Sequence, residues 1–315
     1  MNNDLFPNIV GQDRAKKRLE FYLQGYQANS VMPHLMFIAP KGCGKTTLAK
    51  AMGKNMVGKD DRTKPKRFLE INCSTVKSVK QFFNQIVIPH INMQDCTVLL
   101  DECSELPKDV TMMLLTVLNP NAENRTTFSY EDYTVDFDFS RQSFMFATTE
   151  AQSVFHALMD RCERVDLEEY TYNELAEIVC RVLPEYSFQD DVLMDVSKVL
   201  RGNARQAQKM ANHIKSFLMH KRRTNFTKAD WSELSDALGI LPLGLSPIEL
   251  QVLNLLNEQK ESSLTRLSAK TGLTKACLQR DFELYLQKHD LMQITTAGRA
   301  ITKKGKEYLD EVNNS

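Results

Sequence analysis

Two residues, Lys45 and Thr46, close the stretch Ala39-Pro40-Lys41-Gly42-Cys43-Gly44-Lys45-Thr46 and are the first whose types and spacing point to chemistry. The stretch follows the apolar run Leu35-Met36-Phe37-Ile38, which reads as a buried strand, and leads into residues 47–52, which read as a helix. A small-residue loop there lets consecutive backbone N–H groups curl into an anion-binding nest, and the helix N-terminus adds unpaired donors and partial positive charge. A triphosphate fits such a loop. Lys45 is expected to reach the β- and γ-phosphates, and the Thr46 hydroxyl to sit on the Mg²⁺ bridging them. The candidate ATP-binding residues are therefore Gly42, Cys43, Gly44, Lys45, Thr46 and Thr47. Ala39 stands where the G-x-x-x-x-G-K-[ST] pattern opens with glycine, and alanine tolerates fewer backbone conformations.

A second group follows at Thr97-Val98-Leu99-Leu100-Asp101-Glu102, an apolar strand ending in adjacent carboxylates. At the carboxyl edge of a parallel sheet, Asp101 can hold a water-shelled Mg²⁺ while Glu102 polarises the water that attacks the γ-phosphate. A strand end points neighbouring side chains to different sides, so one carboxylate serves the metal and the other the nucleophile. Phe144-Met145-Phe146-Ala147-Thr148-Thr149 reads as a further buried strand. Thr149 is then placed either to bond the attacking water or the γ-phosphate, or to cap the next helix. Arg205 falls in the opening turn of a later helix, from which it can reach back toward phosphates.

The elements that must position these residues can be read from periodicity. Residues 13–26 are helical, 68–72 a strand, 76–86 and 106–118 helices. Four strands alternating with helices predict a parallel αβα sandwich with its ligand at the carboxyl ends of the strands. Residues 126–130 and 133–139 alternate apolar and polar around Glu131-Asp132, a hairpin signal. Its aromatic face either docks a partner or DNA or packs on its own domain. After residue 162 the chain reads as helical, with helices at 171–183, 188–200, 203–220 and 227–238 forming a small all-α lid. The basic stretches 54–67 and His220-Lys221-Arg222-Arg223 are each read as solvated surface in preference to DNA contact.

Residues 239–246, with Pro242 and Gly244, read as a linker. Helices at 247–259, 264–270 and 275–288, then two short strands around Ala297-Gly298, have the order of a winged helix-turn-helix. Lys275 and Arg280 lie on its third helix, Arg299 and Lys303 on or after the wing, and such cations attract phosphates without demanding a base sequence. Winged helices also dock proteins, so both uses stay open.

The 315 residues suffice for two or three domains with real cores, and 42% hydrophobic with 25% charged residues is a soluble globular composition. Forty basic and forty acidic side chains cancel, so any basic surface must be local. Seven cysteines without C-x-x-C pairs read as small buried hydrophobes in a reducing compartment. Neither a leader at Met1-Asn2-Asn3-Asp4 nor a run of about 18 apolar residues appears, so no membrane is expected and the cytoplasm is the default.

With these pieces placed, the chain resembles an AAA+ ATPase and, within that superfamily, the RuvB family of Holliday-junction branch-migration motors. The resemblance runs from Ile9-Val10-Gly11-Gln12 to the wing. It is carried by residues 34–49, 98–102, 147–149, 170–179, by Arg201-Gly202-Asn203-Ala204-Arg205 and by residues 296–302. The resemblance implies a nucleotide-binding domain at 1–168 with a hairpin insertion near 126–139, a helical lid at 169–240 and a winged helix at 246–315. It implies ATP and Mg²⁺, with Thr149 as the strand-end sensor, Arg205 as the lid sensor and Arg161 as a finger reaching a neighbouring subunit's γ-phosphate. It also implies Arg299 as a wing residue on the DNA backbone. A shared site implies a ring, in the family a hexamer, acting on branched or duplex DNA and recruited by a junction-binding protein through the hairpin.

Met159 stands where the family often has another Arg, and the hairpin's acidic, aromatic sequence is unlike the family's own. A phage or mobile-element relative with a different recruiter fits those departures. The rival functions are an AAA+ loader that assembles a clamp or replicative helicase on DNA, and a non-catalytic DNA-binding regulator.

Overall fold

The computed structural model describes residues 5–59, 61–131, 133–259 and 261–314. Met1–Asp4 and Asp132, on which the reading of the leader and of the hairpin turn fell, lie outside the described residues. Helix α1 (Asp13–Asn29) leads to β1 (Leu35–Ile38), the phosphate loop and α2 (Lys45–Lys54). Then come β2 (Arg67–Asn72), α3 (Val79–Phe82) widening into a π-helical turn at Phe83–Ile91, β3 (Cys96–Asp101) and α4 (Lys108–Val117). The hairpin β4 (Arg125–Tyr130) and β5 (Tyr133–Asp138), β6 (Gln142–Thr148), α5 (His156–Met159) and β7 (Glu163–Asp166) complete the run.

Five strands form one parallel sheet in the order β2-β3-β6-β1-β7. The two-residue period of the strands splits their side chains between two cores. Val98, Leu100, Phe144 and Phe146 pack with Phe82, Val110 and Leu114 on one face. Leu99, Met145 and Phe37 pack with Leu19, Leu23, Leu48 and Met52 on the other. Strands buried on both faces carry near-continuous apolar runs, which is why β1, β3 and β6 are legible in the sequence.

The fifth strand is a correction to the expectation that the chain is helical beyond residue 162. Glu163-Arg164-Val165-Asp166 buries only Val165 and pairs with β1 alone, so an edge strand hides behind polar side chains. The hairpin's aromatic face packs on its own domain. Phe83 stacks on Tyr130 at 5.6 Å between ring centres and lies 5.5 Å from Phe128, while Phe137 lies against Phe144. What faces outward is a polar ladder, with Thr127 donating to Asp136 and Ser129 beside Thr134.

The chain divides into two compact units: residues up to Ile178 with Gly202–Gln208, and Val179–Arg201 with the residues from Lys209 onward. Helix α6 (Tyr172–Val182) is followed by β8 (Ser187–Phe188), α7 (Val192–Lys198), α8 (Ala204–Lys221), β9 (Asn225–Phe226) and α9 (Lys228–Leu238). A capping box starts α9, with Thr227 and Asp230 bonding each other's backbone N–H. The winged-helix segment comprises α10 (Pro247–Gln259), β10 (Glu261–Ser262), α11 (Leu264–Thr271) and α12 (Lys275–Cys277). A π-helical stretch, Leu278–Glu283, carries α12 into α13 (Leu284–Lys288) before β11 (Met292–Ile294), β12 (Arg299–Ile301) and α14 (Lys303–Asn314).

The expected linker is not slack. The Tyr285 hydroxyl donates to the Leu243 carbonyl at 2.7 Å and Tyr308 to Pro242 at 2.9 Å. Gly244, at φ 66°, lies so close to the Val199 carbonyl that a Cβ would come within 2.2 Å of it. These contacts put residues of the expected lid and the winged helix in one unit. All seven cysteines are free thiols; four are buried as expected, while Cys180 is exposed on α6. None of the helices among the described residues is long and apolar enough to cross a membrane.

Candidate nucleotide and nucleic-acid sites

The sheet register brings three strand ends level. Ile38 of β1 pairs with Thr148 of β6, and Asp101 of β3 pairs with Ala147, so β6 lies between the phosphate loop and the carboxylates. Across that gap the Thr46 hydroxyl donates to the Asp101 carboxylate at 2.8 Å. The loop turns through Gly42 at φ 81° and Gly44 at φ 92°, conformations that favour glycine. Ala39 has no such positive φ, so its methyl group carries no backbone penalty where the pattern has glycine. The Lys45 ammonium is buried and donates to the carbonyls of Ala39 at 2.8 Å and Pro40 at 3.1 Å. Burial pushes its pKa down, with Arg205 acting the same way and Cys43, Asp101 and Glu102 opposing. Those groups are thus within electrostatic reach of one ammonium.

Asp101 accepts a second hydrogen bond from the backbone N–H of Glu102 at 3.0 Å. Glu102 is itself exposed and left-handed, at φ 55°, a conformation uncommon for a residue other than glycine. Thr149 follows the last residue of β6 and makes no side-chain hydrogen bond within the described residues. Thr148 accepts from the Glu150 N–H at 2.9 Å, and the helical turn that follows at Ala151–Ser153 has no side-chain cap. A hydroxyl and a carboxylate held 2.8 Å apart are hard oxygen donors of the kind Mg²⁺ takes, since that ion prefers one or two carboxylates plus substrate phosphates. The residues present fit it.

Arg161 follows α5 and is half-buried. Its Nε donates to the Leu115 carbonyl at 3.1 Å and its Nη1 to Ala157 at 2.8 Å, so its stem is anchored on α4 and α5. Arg205 is exposed in the first turn of α8. Asn203 was not singled out from the sequence. It caps α8 through the Arg205 and Gln206 N–H groups, and its amide donates to the Lys41 carbonyl at 3.1 Å. The Ala204 N–H bonds the Gly42 carbonyl at 3.0 Å. A Gly-Asn pair before a helix signals a cap; its reach to a loop about 160 positions earlier leaves no local trace. Tyr170 was also missed: its hydroxyl lies 2.9 Å from where a Cβ on Gly44 would stand. Gln12 braces the same neighbourhood by exchanging two hydrogen bonds with the Glu168 backbone.

In the winged helix, Lys275 and Arg280 are exposed, and Arg280 pairs with its neighbour Asp281 at 2.9 Å. Lys303 begins α14, a helix not anticipated, and lies 3.6 Å from Glu307. Arg299 differs most from expectation. Its guanidinium makes a two-pronged pair with Glu283 at 2.9 and 3.1 Å, with side chains 13% and 3% exposed. Removing one partner of such a pair strands the other charge, at a cost of about 3–5 kcal/mol. Arg299→Ala should therefore lower the urea midpoint of the full chain, and Arg299→Met with Glu283→Leu should restore it. DNA affinity recovering with the fold marks a structural role for Arg299. Affinity that stays low in the refolded double variant marks a phosphate contact.

Residues 35–170 match the family described as "ATPase family associated with various cellular activities (AAA)", and residues 242–310 match "RuvB C-terminal winged helix domain". The chain is similar to the Holliday junction branch migration complex subunit RuvB of Campylobacter hominis, 24% identical over 96% of this chain and 88% of that protein. It is likewise 25% identical to that subunit from Anaplasma marginale, over 97% of this chain and 91% of that protein. Among solved structures, the Thermotoga maritima RuvB Holliday junction branch migration motor superposes with a TM-score of 0.76 at 20% identity, covering 98% of this chain and 99% of that one. The fold is accordingly an AAA domain with a parallel sheet, followed by helices and a C-terminal winged helix.

Proposed function

We propose that this chain, which belongs to the RuvB family of AAA ATPases, is an ATP-hydrolysing ring motor on branched or duplex DNA, with branch migration of Holliday junctions as its reaction. The observation that carries the reading is the closure of Thr46 on Asp101 in a chain that goes on to a RuvB-type winged helix. In this reading residues 1–168 bind nucleotide, 169–240 form the lid and 246–315 contact DNA.

Lys45 and the N–H groups of Gly42–Thr47 bind the triphosphate, with Arg205 as a further cation. Thr46 and Asp101 would hold Mg²⁺, which when bound neutralises charge on the phosphates. Glu102 accepts a proton from the water that attacks the γ-phosphorus, and the bond to the bridging oxygen of ADP breaks. Thr149, at the strand end between the two groups, orients that water. Arg161 serves a neighbouring subunit, so that each site is completed only in a ring. Lys275, Arg280 and Lys303 hold DNA phosphates. The inward packing of Phe128, Tyr130 and Phe137 leaves the outer Thr127, Ser129, Thr134 and Asp136 face as the surface of the hairpin for any recruiter. No observation favours the loader reading.

The test is a mobile four-way junction incubated with the protein and ATP. Arm exchange is expected with ATP and not with a non-hydrolysable analogue. ATP hydrolysis without movement of any junction or duplex would overturn the motor.

A further inference from the structure

We propose that Ser104 is a positioning residue for Glu102, holding that carboxylate where it can take a proton from the attacking water; this rests on the nucleotide-site reading above. The two residues are joined by the turn that follows β3. Glu102 is left-handed, at φ 55°, and precedes a short 3₁₀ turn over Cys103–Glu105. A side chain strains that conformation, which persists only where its surroundings over-determine it. Here they hold it from three directions. The Glu102 N–H donates to the Asp101 carboxylate at 3.0 Å, and the Glu102 carbonyl accepts from the Glu105 N–H at 2.9 Å. Cys103 is buried, with its Sγ 3.7 Å from the sulfur of Met36 on β1. Ser104 accepts from the hydroxyl of Thr148, wholly buried at the end of β6, at 3.2 Å.

The mooring at Ser104 ties this turn to the strand that leads to Thr149. Thr148 is itself fixed, because its oxygen accepts the Glu150 N–H at 2.9 Å while its single proton goes to Ser104. Ser104 makes no other side-chain hydrogen bond among the described residues. It borders a cavity of about 210 Å³ shared with Leu106, Thr111, Met112, Val154 and Phe155. A void supplies no packing contacts, so the bond to Thr148 is what restrains the turn at that point. The exposed Glu102 side chain makes no hydrogen bond of its own among the described residues, so its aim is set by the backbone that carries it. A general base must stand within hydrogen-bond reach of the proton it takes, and a small misplacement costs rate without costing affinity for the bound nucleotide.

The experiment measures phosphate release in a single turnover of the full chain, with protein in excess over ATP, beside equilibrium binding of a fluorescent ATP analogue. Ser104→Ala should slow release about tenfold, the scale of one lost hydrogen bond at a reacting group, with nucleotide affinity within about twofold of the parent. Ser104→Thr keeps a hydroxyl, and its added methyl has the cavity to occupy, so it should recover most of the rate. The Ser104→Ala change placed in Glu102→Gln, where no carboxylate is left to aim, should slow release no further. Equal slowing in both backgrounds overturns the proposal, because Ser104 then acts through something other than Glu102. An unchanged rate in Ser104→Ala overturns it too, as does a loss of affinity that matches the loss of rate. A parent chain that binds ATP and releases no phosphate overturns the nucleotide-site reading itself, and the positioning role falls with it.

Discussion

Arg161→Ala should lower steady-state ATP turnover by about 10³–10⁵-fold, the range over which a trans-acting arginine stabilises phosphoryl transfer. ATP binding to the isolated subunit should stay within about twofold, because a finger contributes to a neighbour's site and not to its own. Two N–H groups of Arg161 are committed to the carbonyls of Leu115 and Ala157, which fixes the stem and leaves other donors of the fork for a partner. The decisive measurement is a mixing experiment with Lys45→Ala, whose phosphate loop is disabled and whose Arg161 is intact. Mixed rings contain interfaces pairing a sound loop with a sound arginine, so turnover should reappear on mixing two inactive proteins. Failure to complement, or normal turnover by Arg161→Ala, would remove the shared site and the argument for a ring.

Glu102→Gln should lower turnover by about 10²–10⁴-fold, the usual contribution of a general base, and leave nucleotide affinity nearly unchanged. The Glu102 side chain is exposed at the end of β3 and bonds neither Thr46 nor Lys45, whereas Asp101 takes hydrogen bonds from both Thr46 and the Glu102 N–H. Asp101→Asn should accordingly weaken nucleotide binding as well as turnover. Phosphate release in a single turnover, set beside equilibrium binding of a fluorescent ATP analogue, separates the two carboxylates. Equal losses of binding and turnover in Glu102→Gln would show that this residue holds ligand and does not activate water.

Local pattern made much of this molecule legible. The phosphate loop, the apolar runs of β1, β3 and β6, the paired carboxylates at Asp101-Glu102 and the helix-turn-wing order all depend on residues adjacent in the chain. Each is set by short-range rules: strand period, turn chemistry and glycine's conformational reach. Edge strand β7 escaped because one buried valine among charges leaves no such trace. Helix α14 went unread after the wing, although Tyr308 and Leu309 bury one of its faces.

Charged residues were the least legible, since a sequence states a charge and not its partner. Arg299 read as a wing cation for the DNA backbone and is paired with Glu283, sixteen positions earlier; Arg201 read only as part of a family stretch and is paired with Glu249, forty-eight positions later. The aromatic stripe of the hairpin could face a partner or its own core, and only the placement of Phe83 from a distant helical turn settled it. By itself the sequence determined which chemistry is present and which elements carry it, because propensity and periodicity act over a few residues. The tertiary structure decided that Arg299 and Arg201 are paired, which face of the hairpin is covered and that Thr46 meets Asp101, because burial and ion pairing are fixed by contacts the chain makes with itself at long range.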